Sequence, residues 1–479
     1  MNLLSNTKWN AFSQIFKIIC QLANLLYLTR LISSADYGVM AICFVFVNLC
    51  NLLRDLGTAS AIIQKKELDN QLINAVFWLN IFIGVFLCLI LMLFAPLISA
   101  FYSVDKLNGA LILISFIFPI SSLGAAHLSL MERESKFKKI SIIEICSSII
   151  SLFIAIVLAN LGFGVYSLIF QTMTLSIIST SLFWFYSAWK PTILKKNELN
   201  RLKEILGFSS GVSGFNFVNF LSRNMDSFLV GRYMSTEALG NYNLAYRIML
   251  FPLQSLTFIT NRSLYPILSK NQDDNGYIER IFLSCNFYIL AISAPLMSGI
   301  AFFSHEIVLY FFSAQWNLTA DIIKWLAPVG IIQSVVSSTG AVFMSKGRTS
   351  LLLFFGFLGA FLQVSSFIIG VNFDIVSLAF FYLLANILNF LPVMICLMSI
   401  IGSNIFRYIS KMIPIMLSLI IMITILELFK FRLGDVMTLQ AFFLHAMFGL
   451  FSYLFSLYIL SREIRELTSR LLFRLRIIR

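Results

Sequence analysis

Charged residues are scarce in this sequence. They make up 12% of the 479 residues, whereas 59% of the residues are hydrophobic. Soluble domains carry about a quarter charged residues, so the composition excludes a soluble fold and indicates a polytopic membrane protein.

The sequence also lacks clustered metal ligands and paired cysteines. Its seven cysteines stand singly in apolar stretches without CxxC spacing, and its three histidines are scattered. Disulfides and zinc sites need such residues at short, regular spacing. The cysteines are therefore predicted to be small core residues, and neither a metal nor a cofactor is expected.

Two features of catalytic proteins are missing as well. There is no GxxxxGK[ST] phosphate loop; the nearest string, GAVFMSKGRT at 340–349, has serine where the second glycine belongs. No loop is long enough to house an extramembrane catalytic domain. ATP hydrolysis and glycosyl transfer are not expected, and a secondary transporter that is not an enzyme is predicted.

Long runs of uncharged residues are abundant. A transmembrane helix needs about 20 apolar residues, and this criterion predicts an all-α protein with fourteen spans. These are residues 8–29, 37–63, 72–98, 108–131, 140–160, 163–187, 206–231, 240–262, 278–302, 319–344, 349–370, 375–400, 408–428 and 438–460.

The sequence has a net charge of +13, and its basic residues are distributed unevenly between the two sides of the membrane. With the N-terminus inside, 25 of the 35 basic residues fall in cytoplasmic segments and five in the opposite loops. This asymmetry predicts cytoplasmic termini, with attraction to anionic lipid headgroups as a second effect, and it disfavours nucleic acid as a partner. The remaining five lie inside predicted spans, where function is to be sought: Lys17, Arg54, Arg223, Arg247 and Lys324.

The seventh predicted span carries polar residues that a bilayer rejects. Asn216, Asn219, Arg223 and Asp226 follow at steps of three, four and three, which places them on one helical face. An ionised group at the bilayer centre costs about 2.5–3.5 kcal/mol, so this face is expected to line a water-filled cavity or a partner helix. Arg247 is expected at a similar depth, and two cations against one carboxylate suit an anionic ligand.

Other spans repeat this arrangement. Span 1 carries five polar residues at steps of four, three, four and three: Asn10, Gln14, Lys17, Gln21 and Asn24. Span 2 holds Arg54 beside Asp55, and span 8 holds Asn243, Arg247, Gln254 and Asn261 on one face. The alternative interpretation of such amides is interhelical packing.

An offset of 202 residues relates the two halves. SSADYG at 33–38 falls on STEALG at 235–240, and the polar positions of span 1 fall on those of span 7. This predicts a duplicated six-helix unit whose two copies run parallel, with polar faces turned to a central cavity. The predicted divisions are an N-terminal lobe (1–187), a cytoplasmic linker (188–205), a C-terminal lobe (206–402), and spans 13–14 with a basic tail (403–479).

Three further charged residues are expected to form salt bridges. Glu144 is expected to form a salt bridge with Lys138 or Lys139. Asp321 and Lys324 are three residues apart and are expected to form a helix-end pair.

Several strings of the chain resemble a known family. LISSADYGVMAICFVFVN, DLGTASAIIQKK and SRNMDSFLVGRYMSTEALGNYNLAYRI are similar to the polysaccharide exporters of the multidrug/oligosaccharidyl-lipid/polysaccharide superfamily, the Wzx-like flippases of the colanic-acid-exporter type. The resemblance implies alternating-access transport of a polyprenyl-diphosphate-linked oligosaccharide across the bacterial inner membrane, for surface polysaccharides such as O-antigen, capsule or exopolysaccharide. Membrane lipids and other polysaccharide assembly proteins are the further partners that it implies.

With this substrate, the polar residues divide into three groups. Lys17, Arg54, Arg223 and Arg247 are expected to contact the diphosphate or acidic sugars through charge-assisted hydrogen bonds. The glycan would contact Asn216, Asn219, Gln21, Asn24 and Gln254. Asp226, with Asp55 as second candidate, would bind a coupling ion, H⁺ or Na⁺. The competing interpretation makes Arg223, Asp226 and Arg247 a gate or a structural ion-pair network.

Three other functions remain as alternatives. A drug or metabolite antiporter of the same superfamily commonly has an anionic or aromatic cavity, whereas this one is basic. A lipid II flippase shares the fold, although the quoted strings disfavour it. A membrane-embedded polymerase or ligase of the same pathway needs a large periplasmic loop, which the sequence does not show.

Overall fold

The part of the chain that the structure describes is predominantly helical. This computed structural model describes residues 3–54, 62, 69–195, 220, 223–433 and 438–477, and it contains no strand within those ranges. The α-helices are α1 (Leu3–Leu31), α2 (Ser34–Arg54), α3 (Asn70–Tyr102), α4 (Asp105–Ser115), α5 (Ile117–Arg133), α6 (Phe137–Asn160), α7 (Val165–Tyr186), α8 (223–233), α9 (Thr236–Ser269), α10 (Asn275–Phe302), α11 (Ser304–Phe311), α12 (Asn317–Ser345), α13 (Thr349–Gly370), α14 (Ile375–Ile400), α15 (Ile405–Leu433), α16 (Leu439–Leu460) and α17 (Arg462–Ile477).

The prediction of an all-α polytopic membrane protein is confirmed. Among the described residues, eleven segments are long and apolar enough to cross a membrane. They correspond to eleven of the fourteen predicted spans. Spans 1 and 8 correspond to the more polar helices α1 and α9, and span 7 is described only at residue 220 and from 223 onward. The count of fourteen therefore stays a prediction.

The surfaces of the spanning helices suit a lipid environment. Leu93 on α3, Phe361 on α13 and Phe451 on α16 are 73%, 69% and 65% exposed. Exposed apolar side chains on this scale are uncommon on soluble monomers, and in a bilayer they contact acyl chains.

One predicted span is interrupted. Helix α4 ends at Ser115 and α5 begins at Ile117, inside the predicted span 108–131. Pro119 lies four residues after Ser115 and has no amide hydrogen, so it cannot continue the i to i−4 hydrogen-bond ladder. The break therefore has a local cause in the sequence.

By its internal contacts the chain divides into two compact units, Met1–Asn243 and Leu244–Arg479. The lobe limits of 1–187 and 206–402 remain a prediction, and the linker residues 196–205 lie outside the described residues.

In the first unit, polar side chains join neighbouring helices. Thr180 Oγ1 donates to the Ile120 carbonyl at 3.1 Å, and Trp184 Nε1 donates to the Leu123 carbonyl at 2.8 Å. Both bonds connect α7 to α5. Hydrogen bonds of this kind stabilise helix pairs in lipid, where apolar burial gives little driving force.

In the second unit, side-chain amides have the same role. Asn286 on α10 donates to Ser338 Oγ on α12 at 3.2 Å, and Gln333 on α12 donates to Tyr382 on α14 at 2.8 Å. The predicted pair of Asp321 and Lys324 is confirmed, with Nζ–Oδ1 at 3.3 Å, and His305 joins it at 3.2 Å from Asp321.

The predicted duplication is visible where α2 and α9 begin. α1 ends at Leu31 and α8 ends at residue 233, 202 positions later; α2 begins at Ser34 and α9 at Thr236, again 202 positions apart. Both helices have the same N-cap, because Ser33 Oγ accepts from the Asp36 amide at 3.1 Å and Ser235 Oγ accepts from the Ala238 amide at 3.0 Å. Serine is a preferred residue at this position.

The two helix starts also cross each other closely. A Cβ added to Gly38 would lie 1.8 Å from the Thr236 carbonyl oxygen, and one added to Gly240 would lie 1.8 Å from the Ser34 carbonyl oxygen. Each contact is the other shifted by 202 residues. The repeated motif therefore packs against its own copy around a local twofold relation.

Candidate substrate-binding site

The predicted polar face of span 1 exists as one continuous helix face. Helix α1 has no break between Leu3 and Leu31, so Gln14, Lys17, Gln21 and Asn24 share a side of it. Gln14 and Gln21 are exposed, and Lys17 and Asn24 are partly buried. The side chain of Asn10 lies outside the described residues.

Lys17 has a carboxylate partner that the sequence did not identify. Its Nζ lies 2.6 Å from Glu144 Oε2 on α6, and the two side chains are 30% and 33% exposed. The prediction that Glu144 pairs with Lys138 or Lys139 is wrong, because Lys138 Nζ lies over the Trp9 ring and Lys139 Nζ over the Tyr186 ring. Helix α1 packs along α6, and this contact decides the pairing.

Asn24 also has a partner on a neighbouring helix. Its Nδ2 donates to Oε1 of Gln171 on α7 at 3.3 Å. Gln171 is partly buried and was missed in the sequence, although an amide inside an apolar span is a signal of the same kind as Asn24 itself. Paired amides present further donors and acceptors, which sugar hydroxyls can bind.

Arg54 ends α2 and contacts α5. Its Nη1 donates to Ser121 Oγ, and its side chain is partly buried. Asp55, predicted beside it as a second coupling residue, lies outside the described residues. The structure thus gives Lys17, Asn24 and Arg54 three different helix partners within the first unit.

Asp226 is separated from Arg223 in environment. Asp226 is 4% exposed, and its carboxylate accepts from the Ser227 amide at 2.6 Å and from the Tyr242 hydroxyl at 3.1 Å. Arg223 is exposed and is not among its partners within the described part of the chain. Two hydrogen bonds satisfy a buried carboxylate in part and hold it in a fixed position.

The other predicted site residues are described unevenly. Arg247 is exposed on α9, and Gln254 lies seven residues further along the same helix, with its side chain outside the described residues. Asn216 and Asn219 fall outside the described residues altogether. In the described ranges, no three histidine, cysteine, aspartate or glutamate side chains are placed to hold a metal ion.

The arrangement in the first unit is suited to exchange of ionic partners. The ion pair of Lys17 and Glu144 has no net charge, and this pairing lowers the free-energy cost of placing the lysine among apolar helices. A diphosphate carries more charge than one carboxylate and accepts several hydrogen bonds, so it can compete for Lys17. Exposed guanidinium and amide groups on α1 and α8 add donors for an anionic, hydroxyl-rich ligand.

Comparisons with known proteins agree with this description. The model of a family described as "Polysaccharide biosynthesis protein" matches residues 27–321. Lipopolysaccharide biosynthesis protein WzxC of Escherichia coli is 26% identical over 421 residues, 87% of this chain and 85% of that protein. Teichuronic acid biosynthesis protein TuaB of Bacillus subtilis is 26% identical over 393 residues, 81% of each chain.

Solved structures share the fold. The lipid II flippase MurJ in an inward closed conformation has a TM-score of 0.74 at 18% identity, covering 96% of this chain and 99% of that one. An inward-facing multidrug resistance MATE transporter of the MOP superfamily has a TM-score of 0.59 at 15% identity, covering 80% and 94%. At these identities the likeness concerns the fold alone.

Proposed function

The chain belongs to the polysaccharide biosynthesis protein family, and from this premise we propose that it is a flippase for a polyprenyl-diphosphate-linked oligosaccharide. The observation that carries the proposal is the polar face of α1, where Lys17, Gln21 and Asn24 stand in an otherwise apolar multi-pass chain. Polar and charged groups persist inside membrane helices mainly where a substrate or ion passes. The names of the relatives, lipopolysaccharide biosynthesis protein WzxC and teichuronic acid biosynthesis protein TuaB, support the same class of substrate.

The proposed roles follow the chemistry of the substrate. Lys17, Arg54, Arg223 and Arg247 bind the diphosphate or acidic sugars, because cations and phosphate oxygens form short, strong hydrogen bonds. Gln21, Asn24, Asn216, Asn219 and Gln254 bind the glycan. Gln171 joins them through its bond to Asn24.

The proposed coupling residue is Asp226, with Asp55 as second candidate. Burial and the hydrogen bond from Tyr242 fix the Asp226 carboxylate, which suits a site that exchanges H⁺ or Na⁺ during alternating access. No ATP-hydrolysing motif is present in the sequence, so an ion gradient is the proposed energy source.

The proposed location is the bacterial inner membrane with both termini in the cytoplasm. The excess of basic residues in one set of loops supports this orientation. The substrate would then enter from the cytoplasmic leaflet and leave on the periplasmic side.

A drug antiporter is the second candidate, since the MATE transporter shares the fold at a TM-score of 0.59. The basic residues of α1, α8 and α9 disfavour it, because most such drugs are cations. A lipid II flippase is the third candidate, and it rests on the fold shared with MurJ.

Deletion of the gene separates these functions. We expect a polyprenyl-diphosphate-linked oligosaccharide to accumulate on the cytoplasmic side of the membrane, and re-expression to clear it. Chemical analysis of the accumulated lipid names the glycan. Loss of drug resistance without accumulation supports the antiporter instead, and accumulation of lipid II supports the cell-wall flippase.

A further inference from the structure

A basic cavity lies in the second unit, and its lining includes none of the residues assigned to transport. It has a volume of about 560 Å³ and opens where α10 and α15 begin. Its lining includes three cations, Arg280, Arg407 and Lys411, together with Glu279 and Ser410. The helix starts of α10 and α15 add partial positive charge, which favours an anion.

Two of the cations are already held in place. Glu279 is 8% exposed, and its Oε1 accepts from Ser403 Oγ at 2.6 Å and pairs with Arg407 Nη1 at 3.1 Å. Lys411 Nζ donates to Ser284 Oγ at 3.1 Å and lies 2.7 Å from Glu463 Oε1. These bonds orient Arg407 and Lys411 along the cavity.

Arg280 is the cation in excess. It is exposed at the cavity, and in the described part of the chain no carboxylate pairs with it. Three cations face two carboxylates, so one positive charge remains for a ligand. A guanidinium binds a phosphate group with two parallel hydrogen bonds.

The exposed face of α15 next to the cavity is apolar. Phe406, Ile409 and Ile413 are 76%, 46% and 44% exposed, and they alternate with Arg407, Ser410 and Lys411 along the same helix. Helix α15 is one of the segments that can cross a membrane. A ligand in the cavity therefore has an exposed apolar helix surface within one turn of its charged group.

Helix α17 contacts one residue of the cavity lining. Its first turn contacts the cavity through the ion pair of Glu463 and Lys411, and its sequence, REIRELTSRLLFRLRI, is basic and amphipathic. Such a helix lies in the interfacial region of a membrane that contains anionic lipids. A cavity next to its first turn is therefore suited to a lipid headgroup.

We propose that this cavity binds the phosphate of an anionic phospholipid, with an acyl chain along the Phe406, Ile409 and Ile413 face of α15. Arg280 is the main phosphate contact, and Arg407 and Lys411 complete the site. Basic recesses between membrane helices are known to suit such headgroups. The assignment is independent of the transported substrate.

Lipid binding by the purified full-length protein tests the assignment. The probe is short-chain phosphatidylglycerol, titrated in detergent, with phosphatidylethanolamine and inorganic phosphate as competitors. We expect Arg280→Gln to weaken binding about tenfold and Arg280→Lys to restore part of it. Neither competitor is expected to displace the lipid at equal concentration.

Arg348→Gln is the matched control, because Arg348 is also exposed and the change in charge is the same. It is expected to bind like the unmodified protein. Equal binding by Arg280→Gln, or equal weakening by Arg348→Gln, overturns the site. Displacement by inorganic phosphate alone overturns the lipid as its ligand. Melting temperatures of all variants identify any loss of folding, and transport is not measured, so failure of this site leaves the proposed flippase function unaffected.

Discussion

Gly38 and Gly240 occupy equivalent places in two copies of one motif, and each accommodates a backbone carbonyl of the other copy. The Thr236 oxygen lies 1.8 Å from the Cβ position of Gly38, and the Ser34 oxygen lies 1.8 Å from that of Gly240. Because the obstructing atoms are backbone atoms in the first helical turns, no side-chain rotation can make room for a methyl group.

Alanine at either position is therefore expected to force α2 and α9 apart. Gly38→Ala and Gly240→Ala should each destabilise the protein by about 1–3 kcal/mol, the range for overpacking, seen as a lower melting temperature in detergent. The control is Gly356→Ala on α13, where the added Cβ meets nothing within 4 Å. Equal melting temperatures for the three variants would contradict the close crossing.

Variants of the ion pair between Lys17 and Glu144 distinguish a structural role of Lys17 from a role in binding the ligand. Lys17→Gln leaves a partly buried carboxylate unpaired and should cost about 1–2 kcal/mol, between the values for exposed and fully buried pairs. The exchange Lys17→Glu with Glu144→Lys restores the pair and should recover the melting temperature. Transport should stay low, because the cation no longer stands on the polar face of α1. Recovery of transport by the exchanged protein argues that Lys17 has only a structural role.

Arg223 offers a test that does not disturb the core. Because its side chain is exposed, Arg223→Ala should leave the protein level unchanged while glycan flipping per molecule falls. Arg223→Lys keeps the charge but not the forked donor geometry, so it should retain part of the activity. If the protein level falls and flipping per molecule is unchanged, Arg223 is not a ligand.

Asp226 and Tyr242 test the proposed coupling site. Tyr242→Phe removes a hydroxyl donor from a buried carboxylate and should cost about 1.5–3 kcal/mol, measured as a lower melting temperature. Asp226→Asn keeps the shape and one hydrogen-bond acceptor, so it should fold but no longer respond to dissipation of the ion gradient. If transport by the Asp226→Asn variant still follows the gradient, the coupling ion binds elsewhere.

The stability of helix α14 is expected to depend on pH through Asp374, which lies outside the membrane spans. Hydrogen bonds from the Ser377 side chain and amide hold the pKa of Asp374 below its ordinary value, and Oδ1 accepts from the Ser377 amide at 2.8 Å. Because the folded-state pKa is lowered, the ionised Asp374 stabilises α14 fully at pH values above the ordinary pKa of an aspartate. This stabilisation is lost as the pH falls through the lowered pKa. Asp374→Asn caps without titrating, so the two proteins should melt alike at neutral pH and diverge only in acid. Divergence near neutral pH contradicts this sign.

Much of the fold was readable in the sequence because the relevant physics is local. Transfer of apolar residues into lipid depends on each stretch by itself, and eleven predicted spans have helices of the expected type. Helical periodicity placed Lys17, Gln21 and Asn24 on one face before any contact was known. The offset of 202 residues correctly related the caps at Ser33 and Ser235.

The partners of these residues could not be read in the same way. Glu144 pairs with Lys17 rather than with the lysines closer to it in sequence, and Gln171 meets Asn24 from 147 positions away. Arg223 and Asp226, three residues apart, stand in different environments because Tyr242 turns inward to the carboxylate.

The sequence by itself determined that this chain is an apolar, duplicated membrane protein with basic and amide side chains on chosen helix faces, since composition and periodicity are properties of neighbouring residues. Only the tertiary structure decided which carboxylate neutralises Lys17 and which groups hold Asp226. It also decided that Gly38 and Gly240 lie against the carbonyls of Thr236 and Ser34, and that α10 and α15 line a basic cavity. These depend on which helices become neighbours, and helix neighbours are chosen by packing across the whole unit.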